Sequence, residues 1–220
     1  LYFPKNNPFS KKIIASKEYY LDKFDKIKSI NYPEINQLEK KLGFSINKHW
    51  LDQLALHTQV TKKKSEINYQ HGRVLYSHLR EYLNGNQTDK NIVIFETGTA
   101  RGFSSICMSK GLEDDNRNGL IISTDILPHN KAFYWNCIDD HEKKKTRKEL
   151  LQPWKKELEK IIFFQGSTSH LINTIHIERI HFSFLDAMHD YENVMKEFKF
   201  ISKRQLKEDI IIFDDVDALQ

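Results

Sequence analysis

The stretch Ile92-Val93-Ile94-Phe95-Glu96-Thr97-Gly98-Thr99-Ala100-Arg101-Gly102 joins an apolar run, an acidic residue and a glycine turn. A near-continuous apolar run of this length is typical of a strand buried on both faces of a parallel sheet. Gly98 allows a tight turn and lets a ligand approach the backbone closely. We predict that a helix follows from Gly102 to Leu112, so the stretch reads as strand, turn and helix.

Four further apolar runs repeat this pattern along the chain, and each ends on polar residues. They are 120–122 before Thr124-Asp125, 161–164 before Gln165-Gly166, 182–185 before Asp186, and 210–213 before Asp214-Asp215. Helices are predicted at about 143–160, Ser169–Ile175 and Asp190–Lys203, with Asp190 as N-cap. The alternation predicts an α/β fold with a doubly wound, mostly parallel, Rossmann-like sheet and right-handed crossovers. Ligands bind beyond the carboxyl ends of such strands.

The first part of the chain has a different, helical pattern. We predict an N-terminal helical extension over residues 1–88, with Gly85 as a left-handed residue at the end of its last helix. The sheet domain then covers 89–220. Because the fifth strand comes close to Gln220, we expect either that C-terminal strands are missing or that the exposed edge pairs with something else, such as a second copy.

The bulk composition excludes several classes of protein. The net charge of +4 gives no dense basic face, so no nucleic-acid partner is expected. No apolar run approaches the roughly 20 residues that span a bilayer. Two cysteines, Cys107 and Cys137, give no disulfide framework, which favours a reducing cytoplasm. The basic run at 143–148 is interpreted as a solvated helix face.

The glycine turn and Asp125 together indicate a nucleoside site. Asp125 ends the second strand, where acidic residues accept hydrogen bonds from ribose hydroxyls. The G-x-x-x-G spacing of Gly98 and Gly102 matches neither a dinucleotide fingerprint nor a P-loop, which disfavours a nicotinamide dehydrogenase. A tight connection between strand and helix would also explain the glycines, but Glu96 and Asp125 favour the functional interpretation.

The segment from Glu96 to Gly102 resembles the E/D-x-G-x-x-x-G motif of class I S-adenosylmethionine-dependent methyltransferases, and the resemblance extends over about 90–216. It implies S-adenosylmethionine as cofactor. The implied cofactor-binding residues are Glu96, Gly98 and Gly102 around the methionine part, Thr99 in the same turn, Asp125 at the ribose, and Gly166 and Ser167 against the adenine.

A second cluster follows the fourth and fifth strands. The resemblance to methyltransferases implies that these two strands are neighbours, so Asp186, Asp214 and Asp215 would converge. Carboxylates so close repel one another unless a cation neutralises them. Oxygen ligands favour Mg²⁺, Mn²⁺ or Ca²⁺ over zinc. His189 lies over the same opening, where an imidazole can accept a proton near neutral pH. Each residue also has a structural explanation, as a strand end, a turn aspartate or a loop histidine.

The combination of Asp-x-x-His and Asp-Asp resembles the metal-dependent sugar O-methyltransferases of the macrocin and mycinamicin type. The resemblance implies that Asp186, Asp214 and Asp215 bind Mg²⁺ and that His189 is the base. It implies that the acceptor is a hydroxyl of a sugar or glycosylated small molecule. Catechol enzymes usually have Asp-Asn at the last pair. A metal-independent or catechol-type enzyme and an inactive nucleoside-binding scaffold remain the alternatives.

Overall fold

The computed structural model describes residues 12–187 and 190–214, and within them an N-terminal set of helices precedes an alternating sheet. The first helices are α1 (Lys17–Ile27), α2 (Pro33–Leu42), α3 (Lys48–Thr58) and α4 (His71–Gly85). The alternating part contains β1 (Asn91–Thr97), α5 (Phe103–Asp114), β2 (Asn118–Asp125), α6 (Arg147–Leu150), α7 (Lys155–Leu158), β3 (Ile161–Gln165), α8 (Thr168–Leu171), β4 (Phe182–Leu185), α9 (Tyr191–Ser202) and β5 (Ile210–Phe213).

The five strands form one parallel sheet in the order β3-β2-β1-β4-β5. The chain therefore winds outward from β1 in one direction through β2 and β3, and in the other through β4 and β5. The predicted doubly wound α/β fold is confirmed. The crevice where the winding direction changes lies between β1 and β4, which is where ligands bind in sheets of this kind.

The strands are buried on both faces, as their apolar runs predicted. Ile94 and Phe184 face one side, where α4 and α5 cover the sheet. Phe95 and Leu185 face the other side and pack with Phe200 of α9. Because side chains alternate along a strand, this pattern also fixes which face each polar residue at a strand end will occupy.

Helix α4 lies alongside α5 and runs in the same direction. Gly72, near the start of α4, lies against Phe103 and Cys107, whereas Gly111, near the end of α5, lies against Leu79. Since α5 starts at the carboxyl edge of the sheet, the start of α4 lies at that edge too. The predicted boundary near residue 88 remains a prediction, although α3 and α4 contribute to the same apolar core as the sheet.

The end of α4 differs from the prediction. Gly85 is not left-handed. Instead it is the last residue of the helix, and Asn86 follows at φ −107. The guanidinium of Arg117 donates to the carbonyls of Leu83 and Asn86 at 3.0 and 2.8 Å. These bonds satisfy carbonyls that a left-handed residue would otherwise help to satisfy. A left-handed residue does end α2, where Gly43 has φ +81.

The helix predicted at about 143–160 is also wrong as a continuous element. It is divided into α6, a short 3-10 turn at Gln152–Trp154, and α7. Pro153 lacks an N–H donor and disfavours helical geometry in the residue before it, so the helix breaks there. The predicted helix after β4 is confirmed, because Asp190 caps α9 by accepting a hydrogen bond from the Asn193 N–H at 3.1 Å.

Within the described part of the chain, no helix is long and apolar enough to cross a membrane.

Candidate functional site

The turn after β1 brings the backbone very close to the end of β4. Gly98 has φ +86, and a Cβ atom there would lie 1.9 Å from the carbonyl oxygen of Asp186. No other residue fits that position without moving the backbone. Gly102 has φ +90 at the start of α5, and a Cβ there would lie 2.7 Å from Leu151. The turn is thus fixed against the switch point of the sheet.

Glu96 lies beneath this turn and is fully buried. Its carboxylate accepts hydrogen bonds from the hydroxyls of Ser104, Ser105 and Ser123. Burial raises the pKa of Glu96, and the three hydroxyl bonds oppose the rise. Thr99 joins the same network, with its hydroxyl 2.5 Å from that of Ser123. These two predicted cofactor residues therefore connect the turn to α5 and β2 through their side chains.

Asp125 lies at the end of β2, beside the same turn. Its carboxylate accepts hydrogen bonds from the backbone N–H groups of Ala100 at 2.5 Å and Leu127 at 2.7 Å. Burial raises the pKa of Asp125, although the nearby Arg147 guanidinium and the backbone donors oppose this. A buried acceptor held in this way at the second strand is suited to ribose hydroxyls.

The third strand brings its own predicted residues next to Asp125. Asp125 pairs with Gln165 in the β2–β3 register, and the Gly166 N–H donates to the Asp125 carbonyl at 2.8 Å. Ser167 is the N-cap residue of α8, with its hydroxyl 2.8 Å from that of Ser169. The structure thus brings the residues expected at the ribose and at the adenine together along one edge.

Asp186 and Asp214 lie side by side at the ends of β4 and β5. Leu185 pairs with Phe213, and the Asp214 N–H donates to the Leu185 carbonyl at 3.0 Å. Neighbouring strands lie about 4.8 Å apart. Asp186 and Asp214 each lie two residues after a strand residue that faces α4 and α5. This register puts the two aspartates on the same face of the sheet.

The other two members of the predicted carboxylate cluster, Asp215 and His189, lie outside the described residues. Over 12–187 and 190–214, no group of three or more histidine, cysteine, aspartate or glutamate residues is placed to hold a metal. The described residues include only two of the three predicted ligands. The complete metal site and its base therefore remain predictions.

His71 is a residue at this edge that the sequence reasoning missed. Its ring stacks on Phe184 with centroids 6.3 Å apart, and it makes an edge contact with Phe103 at 4.8 Å. Phe184 precedes Asp186 by two residues on the same face of β4. A signal was present in the sequence, because His71 shares a four-residue spacing with Leu75, Leu79 and Leu83, all of which are buried.

Glu197 is a second missed residue, and it lies below the end of β1 on the opposite face of the sheet. It is only 2% exposed, and the Thr97 hydroxyl donates to its carboxyl group at 2.9 Å. Burial raises the pKa of Glu197 to about 7. The Asp186 N–H also donates to the backbone carbonyl of Thr97 at 3.0 Å. Glu197 therefore supports the strand ends from inside the protein.

The basic run at 143–148 does not form one solvated face, which corrects the sequence interpretation. Lys143, Lys144 and Lys148 are exposed, but Arg147 is fully buried. Lys145 is largely covered and donates to Asp139 at 2.6 Å. The physical reason is that α6 begins only at Arg147, so the lysines at 143–145 do not share a helix face with the end of the run.

A profile of a family described as a methyltransferase domain matches residues 95–216, which is more than half of the chain. The chain belongs to this family. The region of this methyltransferase that the profile matches contains every predicted donor, metal and base residue. A comparison with functionally curated proteins gave no match.

Solved structures similar to this methyltransferase share its fold at low identity. The SAH-bound methyltransferase PaMTH1 from Podospora anserina has a TM-score of 0.52 and 13% identity, with 84% of this chain and 70% of that chain covered. The O-methyltransferase TomG from Streptomyces achromogenes, solved with SAM and involved in tomaymycin synthesis, has a TM-score of 0.51 and 15% identity, with 80% and 74% covered.

Proposed function

We propose that this methyltransferase transfers a methyl group from S-adenosylmethionine to a hydroxyl oxygen of a sugar or glycosylated small molecule. Asp186, Asp214 and Asp215 hold a divalent cation, and His189 takes the proton from the acceptor. The observation that carries the proposal is the register of β4 and β5, which brings two carboxylates together beside the glycine turn.

The donor side of the proposal follows from the turn and the second strand. Because Gly98 has no side chain, the methionine part of the donor can lie close to the backbone there. Asp125 accepts from the ribose hydroxyls, and Gly166 and Ser167 lie beside the adenine. The donor sulfonium already supplies a good leaving group, so the protein contributes mainly alignment and charge.

The acceptor side needs a group that makes an alkyl hydroxyl nucleophilic at neutral pH. A bound Mg²⁺ or similar cation lowers the pKa of a coordinated hydroxyl. Carboxylate oxygens at Asp186 and Asp214 are ligands of the kind that such cations prefer. We further propose that His71 borders the acceptor, because its ring covers Phe184 just below Asp186.

A metal-binding measurement tests this assignment without knowledge of the acceptor. Mn²⁺ titration followed by electron paramagnetic resonance is expected to show one site in the wild-type protein. Asp214→Ala and Asp215→Ala should each weaken it at least about tenfold, because each removes an anionic ligand. Asp22→Ala, at an exposed position on α1, is the control. Equal Mn²⁺ affinity in all variants would refute the metal site.

Mn²⁺ also tests the position of His71. The imidazole resonances of His71 should broaden when Mn²⁺ binds, whereas those of His78, two turns further along α4, should broaden much less. Sharp His71 signals at full Mn²⁺ occupancy would place the acceptor side elsewhere. Methyl transfer that survives EDTA would instead favour the metal-independent alternative, in which a histidine acts alone.

A further inference from the structure

Arg147 is an unusual residue in the basic run, because its side chain is fully buried. Its Nε–H donates to the carbonyl of Ala100, in the glycine turn, at 2.9 Å. The guanidinium lies 5.1 Å from the ring centroid of Phe163 and 5.8 Å from that of Trp135. The cation is thus enclosed between β3, the turn after β1 and the segment after β2.

The hydrogen bonding of this cation is incomplete. Among the described residues, Nη1 and Nη2 of Arg147 are buried and have no hydrogen-bond partner. The nearest carboxylate oxygen is Oδ2 of Asp125, 3.5 Å from Nη2. A buried charge with unsatisfied donors is costly, and a buried ion pair is weak evidence for stability. The arginine therefore calls for an explanation besides stability.

Its location suggests a different reason. Both residues that Arg147 contacts through polar atoms belong to the proposed donor site, since Ala100 is in the turn and Asp125 is the ribose carboxylate. Asp125 in turn accepts the Ala100 N–H at 2.5 Å. The guanidinium, the turn and the carboxylate form one connected unit.

We propose that Arg147 is a positioning residue of the donor site: it holds Asp125 and the glycine turn in place for the nucleoside. This inference rests on the assignment of Asp125 to the donor ribose. It extends the donor site to Arg147, which lies 22 positions after Asp125 in a different segment of the chain.

The charges around Asp125 give the inference a distinctive pH dependence. Arg147 is the cation that opposes the rise in the pKa of Asp125 caused by burial. The other titratable groups around the guanidinium are Glu96, beneath the turn, and His129, whose pKa is lowered by burial and by Arg147 and Lys148. Without Arg147, the pKa of Asp125 rises further, and less of the carboxylate form is present at mildly acidic pH.

Calorimetry with S-adenosylhomocysteine and with adenosine, at pH 6 and pH 8, tests the proposal. Arg147→Met should weaken both ligands at least tenfold, and by a larger factor at pH 6 than at pH 8, because the raised pKa of Asp125 leaves less of its carboxylate ionised at the lower pH. Arg147→Lys keeps the charge but not the planar fork, so it should bind more weakly than wild type without the added loss at pH 6. Lys148→Met, at the exposed neighbour, should bind as wild type does.

Each outcome decides the matter. If Arg147→Met binds both ligands within twofold of wild type at both pH values, Arg147 has no role at the donor site. If Arg147→Met does not fold, the Arg147→Lys variant decides the question in the same way: affinity equal to that of wild type overturns the proposal. If wild-type protein binds neither ligand, the donor-site assignment itself fails, and the role of Arg147 fails with it.

Discussion

The stability of Glu197→Gln, measured relative to wild type, should increase as the pH rises. Glu197 is buried on α9, accepts a hydrogen bond from Thr97, and has its pKa raised by burial from 4.5 to about 7. Hydrogen bonds from Thr97 and Thr168 oppose the rise, and the charge of Asp190 adds to it. Glutamine keeps the shape and a polar group but cannot ionise.

The magnitude follows from the pKa difference. Below pH 4.5, Glu197 is protonated in both states and ionisation costs nothing. Between pH 4.5 and about 7, the unfolded chain releases the proton while the folded protein keeps it, so stability falls as the pH rises. Each unit of pKa corresponds to about 1.4 kcal/mol. The full loss is about 3 kcal/mol, of which about 2.5 kcal/mol develops between pH 5 and pH 8.

Urea unfolding of wild type and Glu197→Gln at pH 5 and pH 8 measures this directly. The free energy of unfolding of the variant, relative to wild type, should rise by about 2.5 kcal/mol between the two pH values. Glu192→Gln, at an exposed position on the same helix, controls for the loss of one acidic group. A difference between wild type and Glu197→Gln that does not change with pH would refute the reasoning, because it would mean that Glu197 has no raised pKa.

Three further perturbations test other parts of the structure. Gly98→Ala should lower the unfolding free energy by at least about 2 kcal/mol and abolish calorimetric binding of S-adenosylhomocysteine, because the new Cβ meets the Asp186 carbonyl. Gly85→Ala, a control with open space around the new Cβ, should be neutral. Normal binding by Gly98→Ala would contradict the close approach of the Gly98 backbone to Asp186. Asp125→Asn should weaken S-adenosylhomocysteine without altering Mn²⁺ affinity, and a change in Mn²⁺ affinity alone would move Asp125 to the metal side. Burial alone would raise the pKa of Asp139, but hydrogen bonds from His57 and Lys145 lower it below 3.8, so the stability that Asp139 contributes is present above that pH and is lost as the pH falls further. Asp139→Asn should therefore lower the unfolding free energy at pH 7 by about 2 kcal/mol. An unchanged midpoint of urea unfolding would argue against this ion pair.

The strands were predictable because each carries its signal in adjacent residues. The apolar runs at 182–185 and 210–213 coincide with β4 and β5, and the other three lie inside their strands. The cap of α9 at Asp190 was predictable for the same reason. The end of α4 was predicted wrongly because the distant Arg117 donates to its carbonyls. The helix at 143–160 was predicted wrongly because Pro153 interrupts it.

The members of the candidate site divide in a similar way. Asp125 and Asp186 are recognisable because they lie at the ends of apolar runs, Asp186 directly after one and Asp125 three residues after another. Arg147 and Glu197 are not, since a basic run and a glutamate in an amphipathic helix look like surface features in a sequence. Only burial shows that they belong to the interior, and burial depends on segments that come from elsewhere in the chain.

The sequence by itself determined the class of the sheet, the glycine turn and the identity of the polar residues at the strand ends. These depend on local periodicity and on the conformational freedom of single residues. The tertiary structure decided the strand order β3-β2-β1-β4-β5 and the partners of the buried charges, such as Arg147 with Ala100 and His57 with Asp139. Those partners are 47 and 82 residues apart, and contacts at such separations are set by how the layers pack, which no local pattern encodes.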